Sequence, residues 1–165
     1  MTLGLLNEPI DLQKQRINMD NIQWDVENPH VLEIPVLAEH IDVLGHANNC
    51  EYLKWMEQVA WDHCVHLGMD WNTWQELGFA WVARHTEIDY FLPAFESDSV
   101  LAGTWVMEND KKISMVRGYQ LVSKKTGKTL IRGHTKWVCI NLETQKASRM
   151  PQAFVDAFAK NEAMA

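Results

Sequence analysis

Between residues 51 and 67 the apolar positions overflow any single helical stripe, and that excess constrains the fold more than anything else in the chain. Tyr52, Met56, Val59, Ala60 and Leu67 recur at helical spacing. Leu53, Trp55, Trp61, Cys64 and Val65 then widen the stripe almost round the cylinder. A helix of this kind is expected to be largely enclosed rather than laid on an outer face. Asn48 and Asn49 are candidates for its N-cap, and Gly68 marks its end. The rest of the chain must therefore supply a wrapper.

That wrapper reads as β. Leu32, Ile34, Val36 and Ala38 alternate with Glu33, Pro35 and Glu39, the pattern of a half-buried strand. Pro35 implies that one side of this strand lacks a ladder partner. A short helix is expected over 71–77, with Asn72 as its cap and Gly78 as its stop. Four strands follow, over 80–91, 99–108, 113–123 and 129–141, with polar turns at 109–112 and 125–127. Residues 151–160 read as a closing helix, with Pro151 suited to its first turn. The expected architecture is α+β: one central helix wrapped by a five-stranded antiparallel sheet, its last four strands running as a meander. Residues 1–29 hold two prolines and no sustained period, so they read as an N-terminal extension to one domain over 30–165.

Composition narrows the function classes. Of 165 residues 47% are hydrophobic, enough for a real core, and the net charge of -7 gives no overall electrostatic footprint for nucleic acid. The three cysteines, Cys50, Cys64 and Cys139, are too few and too scattered for a disulfide framework. The chain has no apolar run near the ~20 residues of a membrane helix, and its start lacks the basic region of a signal peptide. A cytoplasmic address without membrane partners is the natural expectation. Eight tryptophans fit core and interface packing, with some in a ligand pocket.

The chemistry concentrates in residues 42–49. Asp42 and His46 sit in a turn that contains Gly45, just ahead of the apolar helix. Unpaired N–H groups and the positive end of the helix dipole gather at such a start, where they favour a developing oxyanion. On spacing alone, Asp42 as a turn cap and His46 as a packing residue remain open as well.

The run Asp42-Val43-Leu44-Gly45-His46-Ala47-Asn48-Asn49, with Tyr52, resembles the D-x-x-G-H-V-N-N-x-x-Y signature of hotdog-fold thioesterases. The similarity is to the 4-hydroxybenzoyl-CoA thioesterase-like and acyl-ACP thioesterase-like branch. Residues 87–93 with Asp98, and residues 135–138 with 149–151, extend it over about 30–155. The resemblance implies hydrolysis of an acyl-CoA or acyl-ACP thioester with no cofactor and no metal, in a homodimer or homotetramer. Asp42 then matches the catalytic carboxylate, as nucleophile or as base toward water. His46 matches a histidine of plant-type acyl-ACP thioesterases, although Leu44 stands where those carry asparagine. Backbone donors of Gly45, Ala47, Asn48 and Asn49 would hold the oxyanion. Tyr52, Trp81, Val82 and Ala83 would wall the acyl pocket, with Arg84 toward the nucleotide. Glu57 reads as a structural or interface ion-pair partner.

A thioester's thiol leaves with a pKa near 8.5, so it needs little help from an acid. Nucleophile or base, water and oxyanion donors therefore suffice. Three alternatives are weaker. His63 and His66 share a helix face beside Cys64, but no established zinc spacing accompanies them. A hotdog enoyl-CoA hydratase motif sets Asp and His five apart across an asparagine and a proline, unlike this run. A non-catalytic acyl-binding module would not need Asp42. The Lys111-Lys112 and Lys124-Lys125 pairs read as solvated turn residues, with contact to a phosphate of CoA or a carrier protein as the alternative.

Overall fold

The computed structural model describes residues 22–161. The elements run β1 (His30–Pro35), a 3-10 turn (Ala38–His40), α1 (Asn49–His66), α2 (Trp71–Leu77), β2 (Phe79–Tyr90), β3 (Ser99–Asn109), β4 (Ser114–Ser123), β5 (Thr129–Asn141) and α3 (Gln152–Ala157). All strand pairs are antiparallel, in one sheet of order β1-β3-β4-β5-β2. This is the expected α+β architecture, a five-stranded sheet against one long helix.

The strand connectivity differs from the expected four-strand meander. Only β3, β4 and β5 pair in succession, whereas β2 crosses to the far edge and pairs with β5. Alternation of apolar residues reports that a run is a strand and which side is buried, but not its neighbour. Pro35 does lie on an edge strand, as expected.

One side of α1 packs on the sheet. Tyr52, Trp55, Met56, Val59 and Ala60 meet Val100, Ala102, Tyr119, Leu121 and Ile131 in a single apolar cluster. Gly133 lets the helix approach, since a Cβ there would lie 2.9 Å from Met56 Cε and 3.0 Å from the Glu87 carbonyl oxygen. The opposite side of α1 is not enclosed: Leu53, Lys54, Glu57, Gln58, Trp61 and Val65 are all exposed. The expected large enclosure is thus met on one side only in a single chain, because the sheet reaches round only one side of the cylinder. The apolar residues left over face outward.

Asn48 caps α1, its side-chain oxygen accepting from the Cys50 N–H at 3.1 Å. The helix ends at Leu67 and Gly68, the latter at φ 74°. For α2 the cap is Asp70 rather than Asn72, because the Asp70 carboxylate accepts from both the Thr73 N–H and its hydroxyl at 2.9 Å. A second cluster fills the far end of α1, where Phe154 and Phe158 of the C-terminal segment bury completely against Trp74 and Trp81. Of the N-terminal extension, residues 1–21 lie outside the described residues. Residues 22–29 cross the outer face of the sheet, with Trp24 over Gly103 and Asp25 paired to Arg132 at 2.6 Å. No helix among the described residues is long and apolar enough to cross a membrane.

Candidate functional site

The turn from Asp42 to Asn49 is closed by hydrogen bonds of its own in its first half and tied to Ala94 and His40 in its second. Asp42 donates its N–H to the His46 carbonyl, and Gly45 donates to the Asp42 carbonyl, both at 3.0 Å. Gly45 takes φ 83°, which the tight reversal demands and a glycine adopts without strain. Asp42 Oδ1 accepts the Leu44 N–H at 2.8 Å, fixing the carboxylate while Oδ2 keeps no partner among the described residues. Val43 and Leu44 beside it are strongly exposed apolar side chains.

Of the four amides expected to hold an oxyanion, three are already engaged. Gly45 bonds to Asp42, Ala47 to the Ala94 carbonyl at 2.9 Å, and Asn48 to the His40 carbonyl at 2.9 Å. Backbone N–H groups find acceptors wherever the fold brings them, here within the turn for Gly45 and outside it for Ala47 and Asn48, which the sequence position alone did not expose. Asn49, first residue of α1, is the one of the four whose N–H meets no described acceptor. Its cleft, about 230 Å³, is lined by His46, Ala47, Asn49, Tyr52, Tyr90 and the 91–93 segment. Tyr52 is buried and accepts the Ala94 N–H at 2.9 Å, and burial raises its phenol pKa. The His46 ring stands edge-on to Phe95 and makes no hydrogen bond to Asp42.

A second and larger cavity, about 500 Å³, opens beside the exposed side of α1. Trp61, Trp74, Trp81 and Trp137 line it, together with Lys54, Glu57 and Arg117. At about 1.5 Å per helical residue, its midpoint lies some 15 Å along α1 from the turn. Of the expected pocket walls, Trp81 therefore belongs here and Tyr52 belongs to the cleft. Val82, Ala83 and Arg84 line neither, being exposed on the β2 edge strand. Among the described residues Glu57 makes no ion pair; the pair on that helix face is Glu51–Lys54 at 2.7 Å. Lys124 is held by Glu33 at 2.8 Å rather than left as a free turn residue.

Arg117 went unnoticed in the sequence although its signal was there. On β4 it shares the inward parity of Met115, Tyr119 and Leu121, where an arginine is out of place. Its guanidinium lies 2.7 Å from His63 Nδ1. Burial and the Arg117 charge pull the His63 pKa down to about 3. His63 and His66 flank Cys64 but join no metal-ligating group among the described residues.

A model described as the thioesterase-like superfamily matches residues 36–158. The long-chain acyl-CoA thioesterase FadM of Escherichia coli is 29% identical over 116 residues, which span 70% of this chain and 86% of that protein. The probable thioesterase YbaW of Escherichia coli superposes with a TM-score of 0.69 at 26% identity, over 78% of this chain and 95% of its own. A 1,4-dihydroxy-2-naphthoyl-CoA thioesterase from Synechocystis superposes with a TM-score of 0.71 at 21% identity, over 79% of this chain and 96% of its own.

Proposed function

The chain belongs to the thioesterase-like superfamily, and from that premise we propose that it hydrolyses acyl-CoA thioesters with Asp42 as nucleophile or general base. The observation that carries the reading is the Asp42 carboxylate itself. One oxygen is pinned by the Leu44 N–H and the other meets no partner among the described residues, in the turn seven residues ahead of the first residue of α1. Ionised, that oxygen attacks the thioester carbonyl or takes a proton from water. The free Asn49 N–H, at the positive end of the helix dipole, offsets the charge that develops on the carbonyl oxygen. The thiolate of CoA then departs without a dedicated acid. His46 lines the cleft and serves as a secondary contributor. Gentisyl-CoA and 1,4-dihydroxy-2-naphthoyl-CoA thioesterases share the fold, in keeping with CoA as the thiol carrier.

The working unit in this reading is a homodimer or a larger homo-oligomer. β2 is an edge strand twelve residues long, and its middle residues Val82, Ala83, Arg84 and His85 are exposed. An unpaired edge of that length is a template for a second copy. Antiparallel pairing of two β2 edges sets the Tyr90 end of one beside the Phe79 end of the other. The Tyr90 hydroxyl donates to the Asn49 carbonyl at 3.1 Å, so that end carries the turn and the start of α1. The other end carries Trp81 and the large cavity. Each Asp42 would then face the tryptophan cavity of its neighbour, joining two half-sites that a single chain keeps apart. Leu53, Trp61 and Val65 on the open side of α1 supply apolar surface for the contact.

The test is release of free thiol from a panel of acyl-CoA substrates, with the matching acyl-ACP as competitor. Loss of turnover in Asp42→Asn, with fold intact, supports the assignment; near-normal turnover moves it to Glu57, the carboxylate of the large cavity. A panel with no hydrolysis at all favours an acyl-binding module. A solution mass equal to one chain of 19.1 kDa at micromolar concentration overturns the dimer.

A further inference from the structure

The large cavity is chemically one-sided. Arg117 lines it, yet the side chain is only 1% exposed. The guanidinium contacts are His63 Nδ1 at 2.7 Å, the Thr104 hydroxyl at 3.4 Å and the Cys64 sulfur at 4.0 Å. None of these brings a negative charge. The lowered pKa keeps His63 neutral, and burial raises the Cys64 thiol, so it stays protonated. Among the described residues no ion pair includes Arg117. A buried cation without a counter-charge is costly, which makes the position unusual for a residue that only packs.

The walls repeat the imbalance. The indole N–H groups of three lining residues, Trp74, Trp81 and Trp137, are buried and meet no acceptor among the described residues, as is true of Trp105 outside the cavity. Buried donors normally find partners, so three orphans in the same lining as a guanidinium without a counter-charge point to a missing acceptor. The charges at the open side, Lys54 and Glu57, do not supply it. Lys54 is a cation already bound to Glu51, and Glu57 lies exposed on the helix surface. A cavity of about 500 Å³ with aromatic walls and a few convergent polar groups has the make-up of a small-ligand site.

We propose that this cavity receives an acyl group bearing a carboxylate remote from the thioester, the carboxylate pairing with Arg117 and the tryptophans enclosing the chain between. The inference rests on the thioesterase reading and deepens it by naming the substrate class: half-thioesters of dicarboxylic acids, in preference to neutral acyl chains. Arg117 suits this role because its planar fork meets a carboxylate in two parallel hydrogen bonds. A cationic acyl group is disfavoured by the same charge.

The experiment compares kcat/KM for hexanedioyl-CoA, with its free ω-carboxylate, against hexanoyl-CoA, in the wild type and in Arg117→Met. The expected wild-type ratio is at least about thirtyfold in favour of the carboxylated substrate, and Arg117→Met should bring it to within a few-fold of one. Both substrates carry the same CoA, so a guanidinium that meets only a nucleotide phosphate leaves the ratio near one and overturns the proposal. An unchanged preference in Arg117→Met overturns it too. A second measurement is independent of turnover and of the variant's folding. Monomethyl hexanedioate should quench the wild-type tryptophan fluorescence saturably, whereas neutral dimethyl hexanedioate at equal concentration should not. Quenching without hydrolysis of any thioester sinks the thioesterase reading and leaves the carboxylate site standing. Hydrolysis with no preference and no selective quenching does the reverse.

Discussion

The two halves of α1 serve different kinds of site. At its start, residues 42–51 hold each other: Asp42 with His46, Leu44 with the Asp42 carboxylate, Cys50 with Asn48. Along its middle, the large cavity draws Trp61, Trp74, Trp81, Arg117 and Trp137 from five separate elements. The turn is polar and solvent-facing, and most of its geometry is set within ten residues, with Ala94 as a distant backbone anchor. The cavity is aromatic and opens on the uncovered side of α1, and none of its geometry exists until the sheet has formed. Chemistry that must be placed to a fraction of an ångström is thus carried by a short self-bonded segment. Selectivity is left to surfaces that converge from far apart in sequence.

The sharpest break in this contrast is Asp42→Asn. It removes the basic lone pair of the turn and leaves the Leu44 bond nearly intact, so kcat should fall about a hundredfold or more. Thermal unfolding should shift little. If the turn carried only structure, the pattern would invert. Gly133→Ala attacks what the two sites share, the seating of α1. The added methyl meets a carbonyl oxygen at 3.0 Å that cannot step aside, so stability should drop by about 1–3 kcal/mol in a urea titration.

The cavity side has its own signature in pH. His63 stays neutral in the folded chain down to about pH 3, whereas in the unfolded chain it titrates near 6.5. Below 6.5 the unfolded state therefore binds a proton that the folded state refuses. Stability should decline by roughly 1 kcal/mol per pH unit as pH falls from 6.5, levelling near pH 3; above 6.5 His63 contributes no slope. His63→Asn keeps an acceptor for Arg117 and should flatten the decline between pH 6.5 and 5, read from urea midpoints. The smallest effect is expected at the turn: Asn48→Ala removes the α1 cap and should cost about 1 kcal/mol. If Asn48→Ala instead lowers kcat more than stability, the cap is also orienting the Asn49 amide.

Legibility in the sequence followed the same division. The turn, the α1 boundaries and each strand were readable because they depend on neighbours within about ten residues. The oxyanion donors were only partly readable, since whether Ala47 or Asn48 keeps a free N–H depends on Ala94 and His40. Strand order was missed because β2 carries the same alternation whichever edge it joins. The open side of α1 was missed for a related reason: Leu53 and Trp61 are apolar whether covered by this sheet or by a second copy. Arg117 lay in plain sight on the inward parity of β4, but its isolation emerges only once His63 and Cys64 are brought against it.

The order of the sheet also sets a timetable for synthesis. When Tyr90 leaves the ribosome, neither β1 nor β2 has met a partner, because β1 waits for β3 and β2 waits for β5. For about fifty further residues the nascent chain carries a twelve-residue strand without a ladder partner, while the apolar helix waits about twenty for β3. Non-local pairing of this kind is slow and exposes sticky surface while it waits. A ribosome stalled between residues 90 and 129 would therefore hold a protease-sensitive chain and a client for holding chaperones, and release past residue 141 would end both conditions together.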